Sequence, residues 1–261
     1  MGEGIMNSLF DLSGKVCLIT GSTKGIGRAI ATQMAICGAH VIISSRNQDL
    51  CDEVAKNLTD QGLKATAIAA NISHDDQIDR LITQTKEQVG AVDTLVCNAA
   101  VNPYMGPFLD TPDDAFDKTI RVNIRSNMRL VKACLPDMQD RKDGSVVIVS
   151  SIAAFKGSRN LGIYAVTKAA DTQLVRNLAV AYGPDNIRVN GIAPALVKTD
   201  FARALWENPQ RAAEVASSYA LHRLGEPDDI AGAAVFLGSK AGAWMTGQTL
   251  IIDGGWSINE R

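Results

Sequence analysis

The chain has 261 residues, 46% of them apolar and 21% charged, with a formal net charge of −2. That length holds one large α/β domain or two small ones with ample core, while the charge balance offers no cationic excess for nucleic acid and the longest apolar runs are strand-sized, which argues against a membrane span. Five cysteines (Cys17, Cys37, Cys51, Cys97, Cys134) are scattered without a Cys-x-x-Cys, which reads as buried free thiols in a reducing compartment, and three histidines form no ligand cluster, so no metal site is expected.

The N-terminal "MGEGIMNSLFDLSGK" has no long apolar stretch and no basic start, so no secretory signal is expected, and Met6 stands where a myristoylation signal has Ser or Thr. The expected location is cytoplasmic. "KVCLIT" (15–20) predicts a buried strand, "GRAIATQMAICG" (27–38) a helix, and "HVIISS" (40–45) a second strand. A polar helix follows, then the strand "KATAIAA" (64–70) and a helix over 75–90. "VDTLVCN" (92–98), "SVVIVSS" (145–151), "IRVNGI" (187–192) and "QTLIIDGG" (248–255) are further strands. These runs are continuously apolar and β-branched, as where helices cover both sheet faces, and helical segments separate them, which implies parallel pairing through right-handed crossovers. The expected fold is α/β: a single-domain Rossmann-type doubly wound parallel sheet of about seven strands, spanning 1–261.

"TGSTKGIGRAI" (20–30) follows the first strand, with Gly21, Gly25 and Gly27 spaced G-x-x-x-G-x-G. Gly21 suits a tight turn, Gly25 a close approach of backbone to a pyrophosphate, and Gly27 close packing of helix on sheet. The helix start offers free N–H groups to phosphates. A plain structural turn uses the same residues, but the strand–glycine–helix context favours a dinucleotide. At the end of the second strand stand Ser44, Ser45, Arg46 and Asn47, with no carboxylate for a ribose 2′-OH. Ser45, Arg46 and Lys24 suit a 2′-phosphate, so NADP(H) is the preferred cofactor, with NAD(H) possible. Arg46 and Lys24 taken singly are also ordinary solvated side chains.

The strand 145–151 ends at Ser151; Tyr164 and Lys168 lie beyond it in "YAVTK", and Asn123 precedes it in a long helical stretch. Tyr164 and Lys168, at i and i+4, share one helix face. An unperturbed phenol titrates at about pH 10 and is a poor base at neutrality. A cation about 4 Å away is worth up to about 4 kcal/mol at an effective dielectric of about 20, enough to make such a group a two-way proton shuttle. Taken singly, Tyr164 also fits a helix-face aromatic, Ser151 an N-cap, and Asn123 a buried amide bonded to backbone.

Together, T-G-x-x-x-G-I-G, "NAA" (98–100), Asn123, Ser151 and Y-x-x-x-K resemble the short-chain dehydrogenase/reductase family, nearly end to end. The resemblance implies Tyr164 as proton donor or acceptor to the substrate oxygen. It implies Lys168 on the nicotinamide ribose, with Tyr164 also against the cofactor, Ser151 on the substrate carbonyl, and Asn123 at a water linking Lys168 to solvent. It extends the phosphate loop to Thr23 and Ile26, places Asn98, Ala99 and Ala100 near the adenosine ribose and Ile72 beside the adenine, and sets Pro194, Val197 and Thr199 of "APALVKT" beside the nicotinamide. Ala100 and Ala195 replace the family's usual glycines, and Asn71 its usual aspartate. "NAAVNP", "VVIVSSIAAF" and "HRLGEP" look closest to NADPH-dependent carbonyl reductases acting on retinal and aromatic ketones. Those end in a peroxisomal tripeptide, whereas this chain ends "NER".

Residues 199–222 are expected to form lid helices, with Trp206, Phe155, Leu161 and Tyr104 as candidate walls of an apolar pocket, or simply as core and lid packing. No Arg or Lys cluster marks a charged-substrate site, though Lys156 and Arg159 sit in the right loop to read an anion. The expected partner is a small-molecule carbonyl or alcohol substrate, and the resemblance implies a homotetramer. Alternatives within the family are a 3-oxoacyl reductase or an NAD-dependent alcohol dehydrogenase. Outside it, a non-catalytic dinucleotide sensor is disfavoured because Tyr164 and Lys168 are both present.

Overall fold

Among the described residues seven parallel strands form one sheet, in the order β3-β2-β1-β4-β5-β6-β7. They are β1 (Val16–Thr20), β2 (His40–Ser44), β3 (Lys64–Ala67), β4 (Thr94–Cys97), β5 (Gly144–Val149), β6 (Ile187–Pro194) and β7 (Thr249–Ile252). The computed structural model describes residues 9–259; the targeting reading at residues 1–8 and the last two residues of the "NER" tail lie outside them. The single-domain Rossmann-type fold is as the sequence pattern implies.

Period-two alternation along each strand splits the core into two layers. Cys17 and Ile19 of β1, with Val147 and Val149 of β5, face α1 (Gly25–Ile36), α2 (Gln48–Thr59) and α9 (Pro227–Gly238). Val16 and Leu18, with Val146 and Ile148, face α3 (Asp75–Gln88), α5 (Ser126–Arg141) and α6 (Gly162–Tyr182). Leu18, Ile19, Ile42, Ile43 and Leu95 are wholly buried, each worth about 1.5–3 kcal/mol over exposure. Local signals set the helix starts: Asn47 accepts from the Leu50 N–H at α2, and a Glu226/Asp229 capping box with Pro227 opens α9.

The stretch carrying Asn123 is not one regular helix. α4 (Asp113–Ile120) passes into a π-helical segment (Arg121–Arg125) and then into α5. The extra residue per turn rotates Asn123 inward, where it is fully buried. The segment after β6 forms a 3₁₀ turn (Asp200–Ala202), α7 (Arg203–Trp206) and α8 (Pro209–Ser217). Among the described residues no helix is long and apolar enough to cross a membrane, no group of His, Cys, Asp and Glu is placed to hold a metal, and Cys37 alone of the five free thiols is only partly buried.

Strand order reverses between β1 and β4, which diverges the connections on either side and opens a crevice at the carboxyl ends of the strands. The glycine loop, Ser45 and Arg46 after β2, Asn98 after β4, Ser151 after β5 and Val197 after β6 all line it.

Candidate active site

The glycine loop forms one wall of a cleft of about 1280 Å³. Gly21 and Gly25 adopt φ of +67° and +57°, in the left-handed region that favours glycine. A Cβ on Gly27 would stand 2.4 Å from the Gly21 carbonyl oxygen and 2.5 Å from Asn98 Nδ2. Helix α1 starts at Gly25, two residues earlier than the pattern suggests, and Lys24 at its N-cap makes no side-chain cap bond, so the first-turn N–H groups face the cleft without a carboxylate. Thr23, Lys24 and Ile26 line the same wall. Asn98 Nδ2 donates to the Thr20 carbonyl at 2.9 Å and the Gly21 carbonyl at 3.3 Å, tying the loop to the end of β4.

Ser45, Arg46, Ile72, Asn98 and Ala99 line the far end of the cleft. The Ser45 hydroxyl meets Cys51 Sγ at 3.3 Å, Arg46 is exposed, and among the described residues no carboxylate lines this end. Lys24 is less free than its place in the sequence suggests: Nζ pairs with Asp200 at 3.4 Å. The bond from Arg203 first, then Lys24, holds the Asp200 carboxyl below its usual range. Ala100 and Ala195 sit outside the positive-φ region, so the loops that carry glycine in relatives of the resembled family are built here without strain. Asn71 accepts from the Ser73 N–H at 3.1 Å, closing a turn beside Ile72.

These residues fit a dinucleotide on grounds internal to the fold. The helix start is uncapped, the loop admits backbone where a Cβ would not fit, and two buried atoms on the cleft, Ser44 Oγ and Asn102 Oδ1, lack a partner.

Tyr164 and Lys168 occupy the first two turns of α6 and both line the cleft. The Lys168 ammonium lies 5.7 Å from the Tyr164 ring centroid. It donates to the Val149 carbonyl at 2.9 Å and to Asp171 at 3.1 Å. Burial works against the charged ammonium, but Asp171 and then Tyr164 outweigh it and its pKa is raised, so Lys168 stays protonated across neutral pH. Ser151 ends the β5 connection with its Oγ accepting from the Ala153 N–H at 3.1 Å, which leaves the hydroxyl proton to donate. Ser150, one residue back, donates to the Lys168 carbonyl at 2.8 Å and locks α6 to the strand end.

Asn123 does not line the cleft. Its amide accepts from the Val101 N–H at 2.9 Å and donates to the Val101 carbonyl at 3.0 Å and to Thr167 Oγ1 at 3.1 Å. The side chain is a tie between the β4 loop, the π segment and α6, which is the backbone-bonded reading of this residue; its carbonyl accepts from Asn127 at 2.8 Å.

Pro194, Val197 and Thr199 line the cleft. Of the four expected pocket walls only Leu161 lines it. Trp206 turns away to donate Nε1 to the Thr199 carbonyl at 3.0 Å, Phe155 is 51% exposed, and Tyr104 covers Gly106 and Gly162. The apolar walls are Met105, Phe201, Leu205, Val215 and Trp256. Nothing local in the sequence marks these, since loop closure rather than periodicity brings them in. Phe201 meets Tyr164 with ring centroids 6.1 Å apart, and Lys156 sits 4.1 Å over the Trp256 ring.

Residues 21–257 match the family model described as Enoyl-(Acyl carrier protein) reductase. A curated relative, dehydrogenase/reductase SDR family member 4 of Bos taurus, is 41% identical over 94% of this chain and 88% of its own. The chain belongs to the short-chain dehydrogenase/reductase family. Solved members of the family share its shape closely. A 7α-hydroxysteroid dehydrogenase, solved with NADH and 7-oxo glycochenodeoxycholic acid, superposes with a TM-score of 0.91 at 35% identity, covering 95% of this chain and 96% of its own. A gluconate 5-dehydrogenase from Burkholderia cenocepacia J2315, solved with NADP and tartrate, gives 0.91 at 30% identity over 96% and 98%. By family this chain is therefore an oxidoreductase, and its solved relatives include proteins bound to NADP and to NADH.

Proposed function

We propose that the protein transfers a hydride between NADP(H) and a ketone, aldehyde or secondary alcohol, in the manner of a carbonyl reductase. The observation that carries this reading is the phenol of Tyr164 beside a buried, protonated Lys168, in the same cleft as the uncapped start of α1. A bound dihydronicotinamide supplies the hydride. Tyr164 gives its phenolic proton to the substrate oxygen as charge develops there, and Ser151 donates a hydrogen bond to that oxygen. Lys168 holds a positive charge beside the phenol, while Asn123 fixes the π segment that backs it. Pro194, Val197 and Thr199 border the reacting end, and residues 199–222 cover it as a lid. A panel of carbonyl compounds with NADPH and NADH, followed by dihydronicotinamide absorbance, tests the reading; no turnover with any member under either cofactor removes it.

The preference for NADP(H) rests on Ser45 and Arg46 at a strand end without a carboxylate, with Lys24 as a second cation held by Asp200. Arg46→Asp is expected to raise the KM for NADPH about tenfold or more and to leave NADH within about twofold, since only the 2′-phosphate meets the new carboxylate. Equal losses with both cofactors would discard the preference.

One feature favours the 3-oxoacyl alternative. Lys118, Lys156, Arg159 and Arg211 line the outer cleft, where Asp200 is the one carboxylate among the described lining residues, in a chain of net charge −2. Such a rim suits a substrate held on an anionic carrier. Joint replacement of Lys156 and Arg159 by alanine is expected to raise KM about tenfold for an anionic thioester and little for a neutral ketone. A matching loss with the neutral ketone rejects this alternative. The tetramer that the resemblance implies is supported by exposed apolar side chains: Met128 on α5, Val166 and Val180 on α6, and Ile251 on β7. The cytosol remains the proposed compartment.

A further inference from the structure

The Lys168 ammonium does not stand alone. Asp171, one turn along α6, lies 3.1 Å from it, and both side chains are removed from solvent, at 3% and 0% exposure. The other Asp171 oxygen accepts from Asn127 Nδ2 at 3.2 Å, and the same Nδ2 donates to the Asn123 carbonyl at 2.8 Å. Lys168 therefore sits in a cage made by Asp171 and the Val149 carbonyl, and the cage is tied through Asn127 to the π segment. The ammonium stands 3.1 Å from the carboxylate oxygen and 5.7 Å from the centroid of the phenol ring. The phenol thus meets the field of an ion pair, not that of a lone cation.

A buried ion pair is weak evidence of a stabilising device, because desolvation consumes most of what the attraction gives. Its place behind the lysine calls for another explanation. We propose that Asp171 is a positioning residue for the proton transfer: it fixes the Lys168 ammonium and offsets part of its charge, and so sets the pH range in which Tyr164 exchanges its proton with the substrate. The inference rests on the carbonyl reductase reading and deepens it. It leaves the equilibrium of the reaction unchanged and moves only the pH at which each direction runs well.

The other groups around the pair do not supply this charge. From β4, Cys97 faces Lys168, and burial keeps its thiol neutral by raising its pKa well above the ordinary value. From β5 comes the Val149 carbonyl, from the π segment Asn123, and from α5 Asn127; none of these titrates. On the packed elements α4 and the π segment, the charged residues Asp113, Asp114, Asp117, Lys118, Arg121 and Arg125 are exposed to solvent, and on β6 Arg188 bonds the Gly242 carbonyl at 2.9 Å instead. Asp171 is the carboxylate that reaches the ammonium.

The test is the pH profile of kcat for alcohol oxidation with saturating NADP, in wild type, Asp171→Asn and Asp171→Glu. Loss of the carboxylate leaves the ammonium uncompensated and favours the deprotonated phenol. The midpoint of the Asp171→Asn profile is expected to fall by about one pH unit, and that of Asp171→Glu to stay near wild type. NADPH fluorescence titration confirms that each variant is folded and binds cofactor. Should Asp171→Asn not fold, Asp171→Ser, which leaves space for a water against Lys168, carries the same measurement. An unmoved or raised midpoint in a folded variant overturns this inference alone. A wild type that turns over no substrate with either cofactor overturns the preceding reading and this one with it.

Discussion

Tyr164→Phe is expected to lower turnover by about 10²- to 10⁴-fold, the usual range for one positioned proton donor, while NADPH binding changes by less than about threefold. The two effects separate because the substitution removes one oxygen and nothing else. The ring stays on the first turn of α6, tilted against Phe201 at 6.1 Å and beneath the Lys168 ammonium at 5.7 Å. The phosphates are proposed to sit on the glycine loop and the start of α1, separate elements from α6. Stability should move by no more than about 0.5 kcal/mol, as for a substitution that leaves packing intact. Steady-state kinetics and a fluorescence titration of NADPH decide the matter together. Near-normal turnover would remove Tyr164 from the reaction, and a parallel loss of cofactor binding would mean that the phenol holds the dinucleotide and does not move a proton.

The parts of this site that were legible in the sequence are those in which one chain segment meets a fixed geometric demand. Gly27 must lack a Cβ because the Gly21 carbonyl passes 2.4 Å from where it would stand, and a spaced glycine run after a strand announces such a demand. Tyr164 and Lys168 share a face because α6 is regular there. What was less legible depends on segments distant in the chain. Lys24 meets Asp200 across 176 residues, so its charge, counted in the sequence as free for a phosphate, is shared. Trp206, Phe155 and Tyr104 looked like pocket walls by type and position, yet each turns elsewhere, and Met105, Phe201 and Trp256 take those places. Asn123 was expected within a long helix; a π segment interrupts it, and the side chain spends its bonds on Val101 and Thr167. Asp171 carries no signal in the sequence, because an acid at i+3 from a lysine on a helix is ordinarily a solvated pair. Only its complete burial gives it meaning.

Lys168→Met tests that buried pair from its other side, and its expected effect on stability is the largest of any single change at the site. Methionine keeps an unbranched apolar stem of similar length, so the packing of α6 on β5 is retained. What changes is that Asp171, fully buried, loses its counter-charge and keeps only the amide of Asn127. Breaking a buried pair on one side typically costs about 3–5 kcal/mol, because a charge is left without compensation. Part of that is relieved if the Asp171 carboxyl takes up a proton, which burial already favours by raising its pKa. The sign of the pH dependence follows. In wild type the ammonium supports the carboxylate; in the variant the folded state holds Asp171 with a pKa raised further above its unfolded value. Folding then binds a proton, and the variant should be most stable at low pH and lose stability as pH rises through the raised value. Urea unfolding from pH 5 to 8 should show the midpoint of Lys168→Met falling with pH relative to wild type. Adding Asp171→Leu should recover most of the loss, since removing both partners leaves no unpaired charge. Turnover should not recover in that double variant, because the cation beside Tyr164 is still missing. A Lys168→Met protein as stable as wild type at pH 8 would show that Asp171 is neutral in the native fold, and the charge-offsetting cage proposed around the lysine would then not exist.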